Sequence, residues 1–256
     1  MLRRRPYLQR VCLLLAIAIA TLGCSADPVL NTAATAAEPA STAPSAEPAT
    51  AQEELVEPTT IMLAIDTSLS MLAEDTAPNR FLGATEAVNA FLDAVPDETH
   101  VGLVSFHGIA TVELLPTKDR AAVRSAILGL ELDEATAVGE AIFASIEALE
   151  SFAADFEGEP PPARIVLLSD GETTVGRPDA AGIDLAQTAG IAVSTIVFGT
   201  DAGTIQAPDT DDPLPIPVPV NKRALAEIAD QTGGEFFEAE TTAALIAIFT
   251  EIGSTL

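Results

Sequence analysis

The chain is poor in the residues that build disulfide, thiol and zinc sites. Its 256 residues include two cysteines, two histidines, one tyrosine and no tryptophan. Both cysteines, Cys12 and Cys24, lie near the start, so disulfide and thiol chemistry are excluded from the rest of the chain. Two histidines without a thiol or a third ligand nearby do not favour a zinc site. Polar chemistry must therefore come from carboxylates and hydroxyls.

Basic residues are also scarce. There are 12 Lys and Arg against 38 Asp and Glu, a formal net charge of −26. The first 23 residues hold four of the arginines and no acid, so their removal would take the net charge to −30. A chain this acidic is expected to repel nucleic acid and bare anionic lipid.

Residues 1–23 are predicted to be an export signal. Four arginines precede an apolar run from Val11 to Leu22, and Gly23 closes the segment. The run is too short to span a bilayer, but its layout is typical of a signal peptide. Gly23 before Cys24, with Leu22 upstream, resembles the lipobox of bacterial lipoproteins, although Thr21 stands where that family prefers leucine. The resemblance implies lipidation of Cys24; a plain secretory signal is the alternative.

Residues 24–57 are predicted to be a disordered tether. The segment consists largely of Ala, Pro, Thr, Ser and Glu and has almost no large apolar residue. Such a composition cannot bury enough surface to fold. The function is therefore expected in residues 58–256.

Residues 58–256 are predicted to form one α/β domain. Short β-branched runs alternate with segments of helical period, which favours a Rossmann-like, doubly wound and mostly parallel six-stranded sheet with helices on both faces. One strand follows a short turn after Gly108 and is expected to lie antiparallel at the edge. The six predicted strands are TTIMLAID, HVGLVSFH, TVELLP, ARIVLLSD, IAVSTIVFG and GEFFEA. The proline-rich stretch 200–220 is predicted to be irregular.

Acids and hydroxyls follow the ends of two of these strands. Asp66, Ser68 and Ser70 follow the first strand, Asp170 ends the fourth, and Thr136 precedes a helix. Ligands of open α/β sheets bind beyond the carboxyl ends of the strands, where the winding reverses. Oxygen ligands of this kind suit Mg²⁺ or Mn²⁺ and not Zn²⁺. We expect both acids at solvent-facing strand ends, outside the core.

The three pieces D-x-S-x-S, T-x-x-G and S-D-G resemble the metal-ion-dependent adhesion site of von Willebrand factor A (VWA) domains. The stretches SMLAEDTAPNR and VGLVSF are most similar to A domains of aerotolerance-operon membrane proteins of bacteria. The resemblance implies that Ser68, Ser70 and Thr136 contact the metal directly, with Asp66 and Asp170 acting directly or through water. Glu134 and Ala135 depart from the family, which usually has glycines before the threonine.

The resemblance implies a protein-binding module that is not an enzyme. Mg²⁺, or Mn²⁺, would engage an acidic residue of a membrane or cell-envelope protein; Ca²⁺ fits less well. The predicted lipid would be its only attachment to the cell membrane, on the extracytoplasmic side. The alternative is a metal-dependent phosphohydrolase of haloacid-dehalogenase type, which needs a second acid where this chain has Ser68.

Overall fold

The computed structural model of the protein describes residues 59–171, 173–206 and 214–255. The predicted signal segment 1–23, the predicted lipidation site Cys24 and the predicted tether 24–57 lie outside the described residues. Across the residues that are described, no helix is both long and apolar enough to cross a membrane.

A six-stranded sheet forms the centre of the domain, as predicted. Its strands are β1 (Thr60–Asp66), β2 (His100–Phe106), β3 (Ala110–Thr117), β4 (Ala163–Ser169), β5 (Ala192–Phe198) and β8 (Phe236–Ala239). They lie in the order β3-β2-β1-β4-β5-β8, and only the β2–β3 pair of this sheet is antiparallel. Every residue of β1 is buried, as expected of a central parallel strand covered on both faces. The predicted α/β fold class is confirmed.

In the described part of the chain, six helices cover the two faces of the sheet. They are α1 (Arg80–Ala94), α2 (Arg120–Leu128), α3 (Val138–Asp155), α4 (Asp179–Ala189), α5 (Lys222–Thr232) and α6 (Thr242–Ser254). Helices α1, α2 and α6 pack with Leu63 and Phe198 in one core, while α3, α4 and α5 pack with Ala64 and Leu167 in the other. Alternate residues of each strand therefore serve opposite cores.

Helix α4 has only a weak helical pattern in the sequence. Its sequence DAAGIDLAQTA is rich in small residues, and only Gly182, Ile183 and Ala186 are buried. So short an apolar stripe gives little helical signal. The stretch predicted to be irregular contributes, in its described residues 200–206 and 214–220, β6 (Thr204–Ile205) and β7 (Ile216–Pro217), a small antiparallel pair outside the main sheet.

The strand order brings the predicted site together. Strand β1 lies between β2 and β4, and Ile65 is in register with Leu168. Asp66 therefore stands beside Ser169, one residue before Asp170. The sheet winds away in both directions from this β1–β4 pair, which is the crevice where α/β sheets bind ligands.

Candidate metal centre

Three loops meet at the carboxyl ends of β1 and β4. The first leaves β1 through Thr67, whose N–H and hydroxyl both donate to the carbonyl of Phe106 at 2.7 and 3.1 Å. It then forms a 3₁₀ turn at Leu69–Leu72. This turn brings Ser68 and Ser70 back over the end of the sheet.

Hydroxyls link the first loop to the acid at the end of β4. Ser70 Oγ donates to Oδ1 of Asp170 at 2.9 Å, and Ser68 Oγ lies 2.9 Å from Ser70 Oγ. The two hydroxyls and the carboxylate form one connected group, although 100 residues separate Ser70 from Asp170.

Asp66 lies beneath this group and is fully buried. Its Oδ1 accepts from the N–H of Ser68 at 2.7 Å, and its Oδ2 accepts from Ser169 Oγ at 2.5 Å. The contact of Ser169 with Asp66 is not predicted from the sequence, although Ser169 belongs to the S-D-G motif. The first loop thus holds one oxygen of Asp66, and the last residue of β4 holds the other.

Thr136 comes from the second loop, which is held between the other two. Asp133 N–H donates to the carbonyl of Thr67 at 3.0 Å, and the carbonyl of Thr136 accepts from the N–H of Thr174 at 2.8 Å. Gly139, the glycine of T-x-x-G, has a local packing reason: a Cβ there would lie 2.2 Å from the carbonyl oxygen of Arg177. All five predicted residues lie at this end of the sheet.

Ala135 has an unusual backbone conformation. Its φ is 69°, the only positive φ of a non-glycine residue in the described part of the chain. That region costs an L-residue about 1–2 kcal/mol and favours glycine. The departure noted in the sequence therefore falls on a strained backbone, directly before Thr136.

The expectation that both acids face solvent is wrong. Asp66 is 0% and Asp170 is 3% exposed. Ser70 of the 3₁₀ turn and the buried Arg80 both contact Asp170. Burial, together with the nearby charge of Asp170, raises the pKa of Asp66 to about 7. Burial also raises the pKa of Asp170, although Arg80 opposes that change.

Arg80 and Asp75 complete the charge network, and the sequence analysis gave neither a role. Arg80 is fully buried, with Nη1 2.6 Å from Oδ2 of Asp170 and Nη2 2.7 Å from Oδ2 of Asp75. Burial alone would raise the pKa of Asp75, but hydrogen bonds from Arg80 and Thr200 outweigh it and lower that pKa. The polar stretch EDTAPNR is typical of an exposed loop. The burial of Arg80 cannot be seen in it, because the groups that bury Arg80 come from distant segments.

The donor set suits a hard divalent cation. Within the described residues, no three acidic, histidine or cysteine side chains gather closely enough to hold a metal by themselves. A cation held here would therefore depend on the oxygens of Ser68, Ser70 and Thr136 beside the two acids. Hydroxyl and carboxylate oxygens are the ligands that Mg²⁺ and Mn²⁺ accept. Neutral hydroxyl ligands would leave much of the cation's charge available to an incoming anion.

Comparison with known proteins agrees with this architecture. Residues 61–172 match the family model of the von Willebrand factor type A domain. The matched span runs from β1 to just beyond Asp170 and contains all three motifs. The chain therefore contains a VWA domain, a fold that supports protein interaction.

Relatives and solved structures extend the likeness over most of the domain. A UPF0353 protein of Nocardia farcinica is 40% identical over 205 residues, covering 74% of this chain and 61% of the relative. The chain thus spans about three fifths of that protein's length. An aerotolerance-related membrane protein from Bacteroides fragilis has the same fold, with a TM-score of 0.66, 22% identity and coverage of 77% of this chain and 100% of that one. Proximal thread matrix protein 1 of the mussel byssus, solved with a zinc-occupied MIDAS motif, matches with a TM-score of 0.56 and 19% identity, over 78% of this chain and 46% of that one.

Proposed function

We propose that the chain is an extracytoplasmic, lipid-anchored module that binds a protein partner through a divalent cation. The observation that carries this proposal is the junction of Ser68, Ser70 and Asp170 above the buried Asp66. Mg²⁺ or Mn²⁺ would be held by Ser68, Ser70 and Thr136, with Asp66 and Asp170 as direct or water-mediated ligands. When bound, the cation supplies a positive charge that a partner's carboxylate can complete.

The surface around the centre supports a protein partner. Large apolar side chains are exposed on the loops at this end of the sheet: Leu72 is 42%, Ile109 61%, Val175 42% and Ile216 43% exposed. Leu72 follows Ser70 in the 3₁₀ turn, and the N–H of Val175 contacts the carbonyl of Thr136. Exposed apolar groups near a polar centre are typical of docking surfaces.

The charge of the chain narrows the class of partner. At a net charge of −26, most of this protein repels another acidic surface. A partner that offers one carboxylate to the cation should therefore be basic around that residue, which would also steer the encounter. We propose a membrane or cell-envelope protein with such a face.

A matched set of hydroxyl variants tests the metal centre. Asp170→Ala would break the buried ion pair with Arg80 as well as remove a metal ligand, so Ser70→Ala and Thr136→Ala are cleaner changes. We expect isothermal titration of the full chain in detergent to show Mg²⁺ binding that each substitution weakens at least about tenfold, as observed for lost contacts near a metal. Ser145→Ala is the control, because Ser145 is buried in the body of helix α3 and its hydroxyl has no hydrogen-bond partner among the described residues. Wild-type affinity in Ser70→Ala and Thr136→Ala would contradict the proposed site.

Partner binding and anchoring need separate tests. Proteins captured from membranes by the wild-type chain should be lost with EDTA and with Ser70→Ala, but kept with Ser145→Ala. The Cys24→Ser chain should leave the membrane fraction, because a lipid on Cys24 would be its attachment. Capture that is indifferent to EDTA would contradict the cation's role, and unchanged fractionation of Cys24→Ser would contradict lipidation.

A further inference from the structure

Arg80 places a positive charge inside the candidate metal centre. Its Nη1 donates to Oδ2 of Asp170 at 2.6 Å, while Oδ1 of the same carboxylate accepts from Ser70. Arg80 Nε and Nη2 form a two-point pair with Asp75, at 2.9 and 2.7 Å. The guanidinium thus bridges a predicted metal ligand and a carboxylate that has no place in the three motifs.

The guanidinium is also fixed from the opposite side. Arg80 Nη2 donates to the carbonyls of Val218 at 3.0 Å and Thr200 at 3.3 Å. Glycines make room for it: a Cβ on Gly199 would lie 2.4 Å from Arg80 Nε, and a Cβ on Gly203 would lie 2.0 Å from Nη2. A side chain enclosed in this way cannot turn aside when a cation arrives.

We propose that Arg80 is a positioning residue that acts through Asp170 and limits how tightly the centre holds a divalent cation. By binding Oδ2 it turns Oδ1 of Asp170 toward Ser70, and its charge competes with the cation for the same carboxylate. Asp75 moderates this competition by sharing the guanidinium. The inference rests on the proposed metal centre.

The charge count gives this arrangement a purpose. Two ionised acids, Asp66 and Asp170, would cancel the charge of a divalent cation if no other charge were near. Asp75 adds a third negative charge, and the guanidinium of Arg80 cancels it, so the occupied group is neutral when all three acids are ionised. A partner's carboxylate therefore meets no net negative charge at the occupied centre, at the expense of weaker binding of the cation alone.

Two substitutions that break the same ion pair should change cation affinity in opposite directions. Arg80→Met removes the competing charge, so the Mg²⁺ affinity should rise roughly tenfold, as expected for a unit charge removed at this range in a partly screened site. Asp75→Asn leaves Arg80 to Asp170 alone, so the affinity should fall by a similar factor. Arg80→Lys keeps the charge but not the two-point geometry, so its Mg²⁺ affinity should lie between those of the wild type and Arg80→Met. The measurement is titration of each full chain in detergent with MgCl₂.

A purely structural ion pair gives a different pattern. Arg80→Met and Asp75→Asn would then both weaken Mg²⁺ binding or both leave it unchanged, and either result overturns the inference. If Arg80→Met does not fold, Asp75→Asn still decides, since unchanged or tighter binding in that variant overturns the inference as well. A wild-type chain that binds no Mg²⁺ overturns the proposed function itself, which separates the two failures.

Discussion

Two ion pairs at opposite ends of the sheet differ sharply in their exposure to solvent. At the carboxyl end, the side chain of Arg80 is 0% exposed and those of Asp75 and Asp170 are 8% and 4% exposed. At the amino end, where β3 finishes and β2 begins, Lys118 and Glu98 pair with exposures of 44% and 66%. The same kind of ion pair is desolvated at one end and hydrated at the other.

This difference locates the functional end of the domain. Burial of an ion pair carries a desolvation penalty of several kcal/mol per ion, which packing alone does not require. The amino end instead uses aromatic packing, with the His100 ring 5.1 Å from Phe152 and 5.7 Å from Phe156. A domain that can close one end with rings but keeps buried charges at the other indicates that the charges serve a site.

The largest expected effect contrasts the two ion pairs directly. Arg80→Ala should lower the free energy of unfolding by about 3–5 kcal/mol, because it leaves Asp75 and Asp170 buried without their cation. Lys118→Ala should leave the urea midpoint unchanged within error, since exposed pairs contribute little. Urea unfolding followed by circular dichroism, in EDTA, gives both values. Equal effects of the two substitutions would remove the contrast between the ends.

A second prediction concerns pH and the buried acid Asp66. Its pKa is about 7 in the folded chain against 3.8 for an ordinary aspartate. The folded state therefore holds this proton more tightly than the unfolded state. The stability that the proton confers is present below about pH 4 and is lost as the pH rises toward 7. In EDTA, the contribution of Asp66 should therefore lower the melting temperature as the pH rises from about 4 to 7.

Cation binding should follow the opposite trend, because the proton on Asp66 must leave. As the pH increases toward 7, the Mg²⁺ affinity should rise by up to about tenfold per pH unit, and above pH 7 it should level off. The gap between melting temperatures in Mg²⁺ and in EDTA should widen accordingly. Asp66→Asn imitates the protonated acid and should flatten both profiles. A gap that is constant from pH 5.5 to about 8 would show that Asp66 does not titrate with the cation.

The sheet, and the location of the five candidate residues at one end of it, could be predicted because their signals are local. Buried parallel strands appear as β-branched runs, and the acids and hydroxyls at the strand ends form short motifs with a definite spacing. Arg80 could not be predicted, because its burial depends on Thr200 and Val218, 120 and 138 residues away. The depth of Asp66 escaped prediction for a similar reason: a motif fixes which residues meet, but the loops that cover them fix their exposure.

The smallest expected effect comes from the backbone beside Thr136. Ala135→Gly should raise the free energy of unfolding by about 0.5–1 kcal/mol, since relief of the strain at φ 69° outweighs the added freedom of the unfolded glycine. Ala121→Gly, in the first turn of α2 near the amino end, should lower it by a similar amount because Ala121 has ordinary helical geometry. The same substitution would then have opposite signs at the two ends of the sheet. Urea unfolding curves of the two variants test this contrast. If both variants lose stability, Ala135 carries no strain that glycine can relieve, and its conformation does not distinguish the carboxyl end of the sheet.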